Sequence, residues 1–161
     1  MRREDIAVQI AASRRGVPHA RSLRAWVAAA LRGASRAGAS GAVCVRVVSA
    51  TESRHLNLRW RGKDQPTNVL SFPFDNAGKR NGSLGDIAIC AAVVAREARE
   101  QRKAARAHWA HMVVHGVLHL LGHDHVRSRD AAAMEALEVR ILKRLGFGNP
   151  YDWPYTDGDV G

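Results

Sequence analysis

The 161-residue sequence is short of cysteine (two), proline (five) and aromatic side chains (6%), and its 15 acidic residues are outnumbered by 25 Lys and Arg. Each shortage excludes something. Cys44 in "AVCVRVV" and Cys90 in "DIAIC" lie inside apolar runs, with no metal-site spacing between them. They are expected as core thiols in a reducing cytoplasm, not as a disulfide framework. No run approaches the roughly 18 apolar residues that span a bilayer, and "MRREDIAVQI" places Glu4 and Asp5 where an export signal needs an apolar stretch. Neither membrane insertion nor export is expected. The shortage of acid leaves a net charge of +10, spread from "RREDIAVQIAASRRG" through "RWRGK" and "REAREQRKAAR" to "ILKRL". Such an excess attracts a polyanion, most simply nucleic acid, although a solvated basic face carries the same signature.

What is present is the balance of a soluble globular protein, 46% apolar and 25% charged. The length suits one hydrophobic core, so a single domain over 1–161 is expected. A strand is predicted over Ile6 to Ala11. A helix follows with Leu23, Trp26, Val27, Ala30 and Leu31 on one face, and Gly33 is expected to end it. The β-branched run "GAVCVRVVSA" reads as a second strand, and Leu56 and Trp60, four apart, as a short helix. Pro66 and Pro73 bracket an extended stretch, with Pro73 suited to an edge strand. The turn-rich "NAGKRNGS" can close an antiparallel hairpin to "LGDIAICAAVV". A helical pattern then runs through "AREAREQRKAARAH" and on to "HWAHMVVHGVLHLL", stopping at Gly122. Another, with Met134, Leu137, Ile141 and Leu145 on one face, ends at Gly146, and residues 152–161 read as a loose tail. The sum is α+β: a mixed sheet of about four strands, one of them antiparallel, covered by about five helices.

The chemistry is concentrated in "HGVLHLLGHDH", residues 115–125. Positions four apart on a helix lie one above the other, so His115 and His119 can aim two ring nitrogens at one ion. Gly122 can adopt the left-handed conformation that ends a helix, returning His125 to the same face. The frame H-x-x-x-H-x-x-G-x-x-H is that of the metzincin zinc site except at Gly116, where those peptidases carry a glutamate base. Three imidazoles leave a fourth position open, as in a catalytic zinc site, though nickel or copper could use the same ligands. His111 lies eight residues, about 12 Å, before His119 and cannot share an ion with it, so a supporting role is expected. His123 is expected to be exposed. Asp124 could orient a ligand imidazole, act as a base, or simply stabilise the turn.

With those residues in place, the chain resembles the YbeY family of bacterial metal-dependent endoribonucleases, implicated in rRNA maturation. "LNLRWRGKDQPTNVLSFPFD", "LGDIAIC", "AHWAHMVVHGVLHLLGHDH" and "MEALEVRILKRLGFGNPY" carry the likeness in the family's order, over most of residues 43–151. The resemblance implies a metalloprotease-like (zincin-like) fold in which His115, His119 and His125 hold one Zn2+. It also implies a functional arginine at Arg61, which from the residues alone would be an ordinary surface arginine. A guanidinium fork suits a phosphate, and Arg59 and Lys63 would extend a basic path to the metal. The expected function is a single-strand-selective endoribonuclease of small-subunit rRNA maturation and ribosome quality control, with the ribosomal small subunit and its proteins as partners. A metzincin-like peptidase and a non-catalytic ribosome-associated zinc protein are the alternatives.

Overall fold

In the computed structural model, which describes residues 5–34, 41–74, 83–123 and 127–152, runs rich in Val, Ile and Leu pair into one mixed sheet. Its strands are β1 (Ile6–Ile10), β2 (Ala42–Val48), β3 (Val69–Pro73) and β4 (Ser83–Cys90), in the order β1-β2-β4-β3. β1, β2 and β4 are parallel, and β3 runs antiparallel to β4 with Val69 opposite Ile89 and Pro73 opposite Gly85. The edge position predicted for Pro73 is therefore observed, because the missing N–H there costs no ladder bond. Most of the expected hairpin loop, residues 75–82, lies outside the described residues. The alternation in β2 sends Val43, Val45 and Val47 into the main core, while Cys44 and Arg46 on the other face are partly exposed.

The described residues also form five helices: α1 (Ala20–Ala34), α2 (Ala50–Arg61), α3 (Ala91–Glu100), α4 (Ala105–Leu120) and α5 (Ser128–Arg144). α1 buries the five residues its spacing predicts, Leu23, Trp26, Val27, Ala30 and Leu31. Gly33, expected as its terminator, instead lies within the helix. A Cβ there would sit 2.6 Å from Ile141 Cγ1, so Gly33 makes room for α5 to pack closely against α1. Both thiols are free, with Cys90 buried in a smaller apolar cluster beside Val48, Leu70 and Val93. Among the described residues no helix is long and apolar enough to cross a membrane.

Two boundaries differ from the sequence pattern. β4 ends at Cys90, and "AAVV" opens α3 instead of prolonging the strand. The long pattern after Cys90 is two helices, broken at Gln101–Ala104. Arg102 takes φ 53°, its N–H donates to the Arg99 carbonyl and that of Lys103 to the Ala98 carbonyl. This is the left-handed helix stop usually marked by glycine, here built on arginine, so the sequence carries no visible break.

α4 is buried on nearly every side because α1, α3 and α5 pack against it as well as β3 and β4 of the sheet. Gly116 sets that approach: a Cβ there would meet Ile87 Cγ2 at 2.9 Å and Val69 Cγ2 at 3.2 Å. The Ser71 hydroxyl of β3 donates to the Gly116 carbonyl at 2.9 Å, tying strand to helix at the same level.

Candidate metal centre

The i, i+4 relation on α4 brings His115 Nε2 and His119 Nε2 to 3.1 Å from each other. Both rings border a cavity of about 240 Å³ whose other walls are Arg61, Thr67, Asn68, Val69 and Ser71. Arg61, the last residue of α2, thus shares a cavity with two of the three predicted ligands. The loop that forms its wall is held by polar residues on the inner face of α2. Ser53 Oγ donates to the Thr67 carbonyl and accepts from the Thr67 N–H, both at 2.9 Å, and Asn57 Nδ2 donates to the Gln65 carbonyl at 2.8 Å. Ser53 and Asn57 are buried, whereas Leu56 is half-buried and Trp60 is exposed.

α4 ends as Gly122 predicts. Gly122 has φ 90°, its N–H donates to the His119 carbonyl and that of His123 to the Leu118 carbonyl. His123 is partly buried, not exposed as expected. Asp124 and His125 lie outside the described residues.

Behind His115 stands a carboxylate that sequence reading overlooked. Glu138 of α5 is 0% exposed and accepts from His115 Nδ1 at 3.1 Å through Oε1. Its Oε2 is shared by His111 Nε2 and the Tyr151 hydroxyl, the latter at 2.7 Å. Burial alone would push this carboxyl up, but the hydrogen bonds and attraction from His111 and His115 outweigh it and hold it at about 2. Burial pushes His111 down against the pull of Glu138, and raises the Tyr151 phenol, helped by the adjacent carboxylate. A signal was available: Glu138 lies four residues after Met134 and three before Ile141, on the apolar face of α5. His111, His115 and Glu138 also bring three potential ligand atoms within 4.8 Å of one another, a group that could hold a metal ion.

Further along α4, buried His108 bonds through Nε2 to Glu97 Oε1 at 2.9 Å, and Asn68 Nδ2 donates to the same carboxylate at 3.0 Å. Asn68 is also a wall of the cavity beside His115 and His119, so the hydrogen-bonded Glu97 carboxylate braces it from behind.

The class defined by these features is an α+β protein whose sheet-crossing helix presents paired imidazoles, with a guanidinium, to a cavity at the antiparallel sheet edge. The chain belongs to the Endoribonuclease YbeY family, whose model matches residues 9–146. It is 53% identical over 154 residues to an Endoribonuclease YbeY of Stenotrophomonas maltophilia, covering 92% of this chain and 94% of that one. It is 52% identical over 151 residues to the Endoribonuclease YbeY of Alkalilimnicola ehrlichii, covering 91% and 90%. The fold is also similar to the solution structure of TM1509 from Thermotoga maritima, with a TM-score of 0.60 and 24% identity over 87% of this chain and 88% of that one.

Proposed function

We propose that this chain is a zinc-dependent endoribonuclease selective for single-stranded RNA, acting in the cytoplasm on small-subunit rRNA and in ribosome quality control, with 1–161 working as one domain. The observation that carries the reading is the convergence of His115 Nε2 and His119 Nε2, 3.1 Å apart, in one cavity with Arg61. Two imidazoles on a tetrahedral zinc at about 2.0–2.1 Å have their nitrogens about 3.3 Å apart, so the pair needs little adjustment. Curated relatives that match over nine-tenths of the chain are named endoribonucleases, which supports the substrate class.

In this reading His115, His119 and His125 hold one Zn2+, and Glu138 stands behind His115. By accepting from His115 Nδ1, the carboxylate leaves the Nε2 lone pair directed at the ion, the usual carboxylate–histidine support of a metal ligand. Both Glu138 oxygens are engaged with protein hydrogen-bond donors, which favours the His119 side over the His111 side as the position of the ion. Bound zinc would supply a Lewis acid for a phosphoryl oxygen and lower the pKa of a water. Arg61 grips the scissile phosphate and counters the charge that builds on it. Asp124 serves as the base or as the orienter of a ligand ring. Unpaired RNA suits the cavity because it can bend and splay its bases, and the charge of +10 favours its approach and that of the ribosomal small subunit.

Peptidase chemistry is opposed by Gly116. A glutamate there would have to begin with a Cβ already 2.9 Å from Ile87, so the position faces packed sheet and has no room for the peptidase base. A purely structural zinc is opposed by the placement of the imidazole pair in a cavity wall with Arg61. The test compares wild type, His119→Ala and Arg61→Ala, cleared of contaminating nucleases, on a labelled single-stranded RNA. Metal-dependent cleavage by wild type that is lost in both variants is expected. Equal cleavage by all three would overturn the assignment.

A further inference from the structure

Trp60 is the outlier among the described tryptophans. Trp26 and Trp109 are 3% and 1% exposed, as indoles in a core usually are, while Trp60 is 58% exposed at the end of α2. Isolated exposed aromatics are ordinary, but this one is held in place. Phe72 of β3 packs against it in a T-shaped pair, with ring centroids 6.1 Å apart, and the Arg59 guanidinium lies over its ring, 5.2 Å from the centroid. Both aromatic residues, Trp60 and Phe72, adjoin the cavity through a chain neighbour. Arg61 follows Trp60 and Ser71 precedes Phe72, and both Arg61 and Ser71 are cavity walls.

We propose that Trp60, steadied by Phe72 and by the Arg59 guanidinium over one face of its ring, offers its other face as a stacking platform for one unpaired base of single-stranded RNA next to the phosphate held at Arg61. This deepens the nuclease reading and rests on it. Neighbouring residues on a helix diverge by about 100°, so Trp60 and Arg61 address different parts of the strand, a base and a phosphate. The surroundings match the charge of that ligand. Arg59, Arg61 and Lys63 are exposed, and the nearby acid, Asp64, is already paired with Arg54 at 2.6 Å. Stacking accepts any base, because every base has a π face, and cationic side chains beside the ring add to the attraction. The strand would pass over the β3 edge, from the Trp60 face into the cavity.

The test measures binding of a labelled single-stranded oligoribonucleotide by anisotropy, with chelator present so that nothing is cut. Wild type, Trp60→Ala and Trp60→Phe are compared on the intact strand and on versions carrying one abasic nucleotide at each position in turn. Trp60→Ala is expected to weaken binding about tenfold, and Trp60→Phe to stay within about threefold of wild type. One abasic position should weaken wild type by a similar factor and leave Trp60→Ala unchanged. Abasic penalties identical in wild type and Trp60→Ala, or unchanged affinity in Trp60→Ala, would overturn the platform. Failure of the nuclease reading shows separately, as wild type that binds the strand and never cuts it when metal is restored.

Discussion

α4 carries two pairs of histidines that differ in everything except residue type and helix. His108 and His111, at its inner part, are buried, and each is tied to a carboxylate on another helix, Glu97 of α3 and Glu138 of α5. His115 and His119 bring their Nε2 atoms together at a cavity, and Glu138 supports the first of them. The difference shows that a histidine's role is set by where its second nitrogen points. The first pair uses imidazole to bind one partly buried and one fully buried carboxylate and hold helices together. The second is aimed at a shared point beside an arginine.

Breaking the outer pair should have the largest effect. His119→Ala is expected to lower RNA cleavage by about three orders of magnitude, the scale of losing a Lewis acid worth several kcal/mol, with an unchanged circular dichroism spectrum. His108→Ala should do the reverse, retaining most turnover per folded molecule while lowering the melting temperature. Glu138→Gln touches both pairs. It should weaken metal affinity 10- to 100-fold by titration calorimetry and lower the stability of the metal-free protein by about 3 kcal/mol, since it breaks a buried charged network.

Smaller effects sharpen the contrast. Gly116→Ala, within the outer pair, gains about 1 kcal/mol of helix propensity and loses about 1–3 by overpacking against Ile87 and Val69. A net loss of about 1 kcal/mol in urea denaturation is expected. The inner pair should also leave a mark on acid stability. Burial would raise the Glu97 carboxyl, but hydrogen bonds from His108 and Asn68 outweigh it and hold it below 4.5. Its stabilisation is therefore complete above about pH 4.5 and is lost as pH falls through the lower folded value. Glu97→Gln should flatten the decline in melting temperature below pH 4.5.

The outer pair was legible in the sequence because helix periodicity alone places His115 under His119, and Gly122 announces the turn after them. The sheet was legible for the same reason, since β-branched runs, Pro73 and turn residues each have a local cause. What escaped was long-range. Glu138 gains its partners only where α5 meets α4, and Ser53 and Asn57 are buried only because the loop through Thr67 folds onto them. The break between α3 and α4 was hidden by Arg102, which occupies a left-handed position with no glycine to reveal it. Gly33 misled for the opposite reason: a glycine that permits close helix packing reads, in sequence, like one that ends a helix.

The central claim is that the ion sits on the His119 side of His115, not within the His111, His115 and Glu138 group. Zinc titration of His119→Ala and His111→Gln by calorimetry tests it directly. The account predicts that His119→Ala loses the tight site, while His111→Gln keeps one equivalent at reduced affinity. Retention of the tight site in His119→Ala together with its loss in His111→Gln would contradict it.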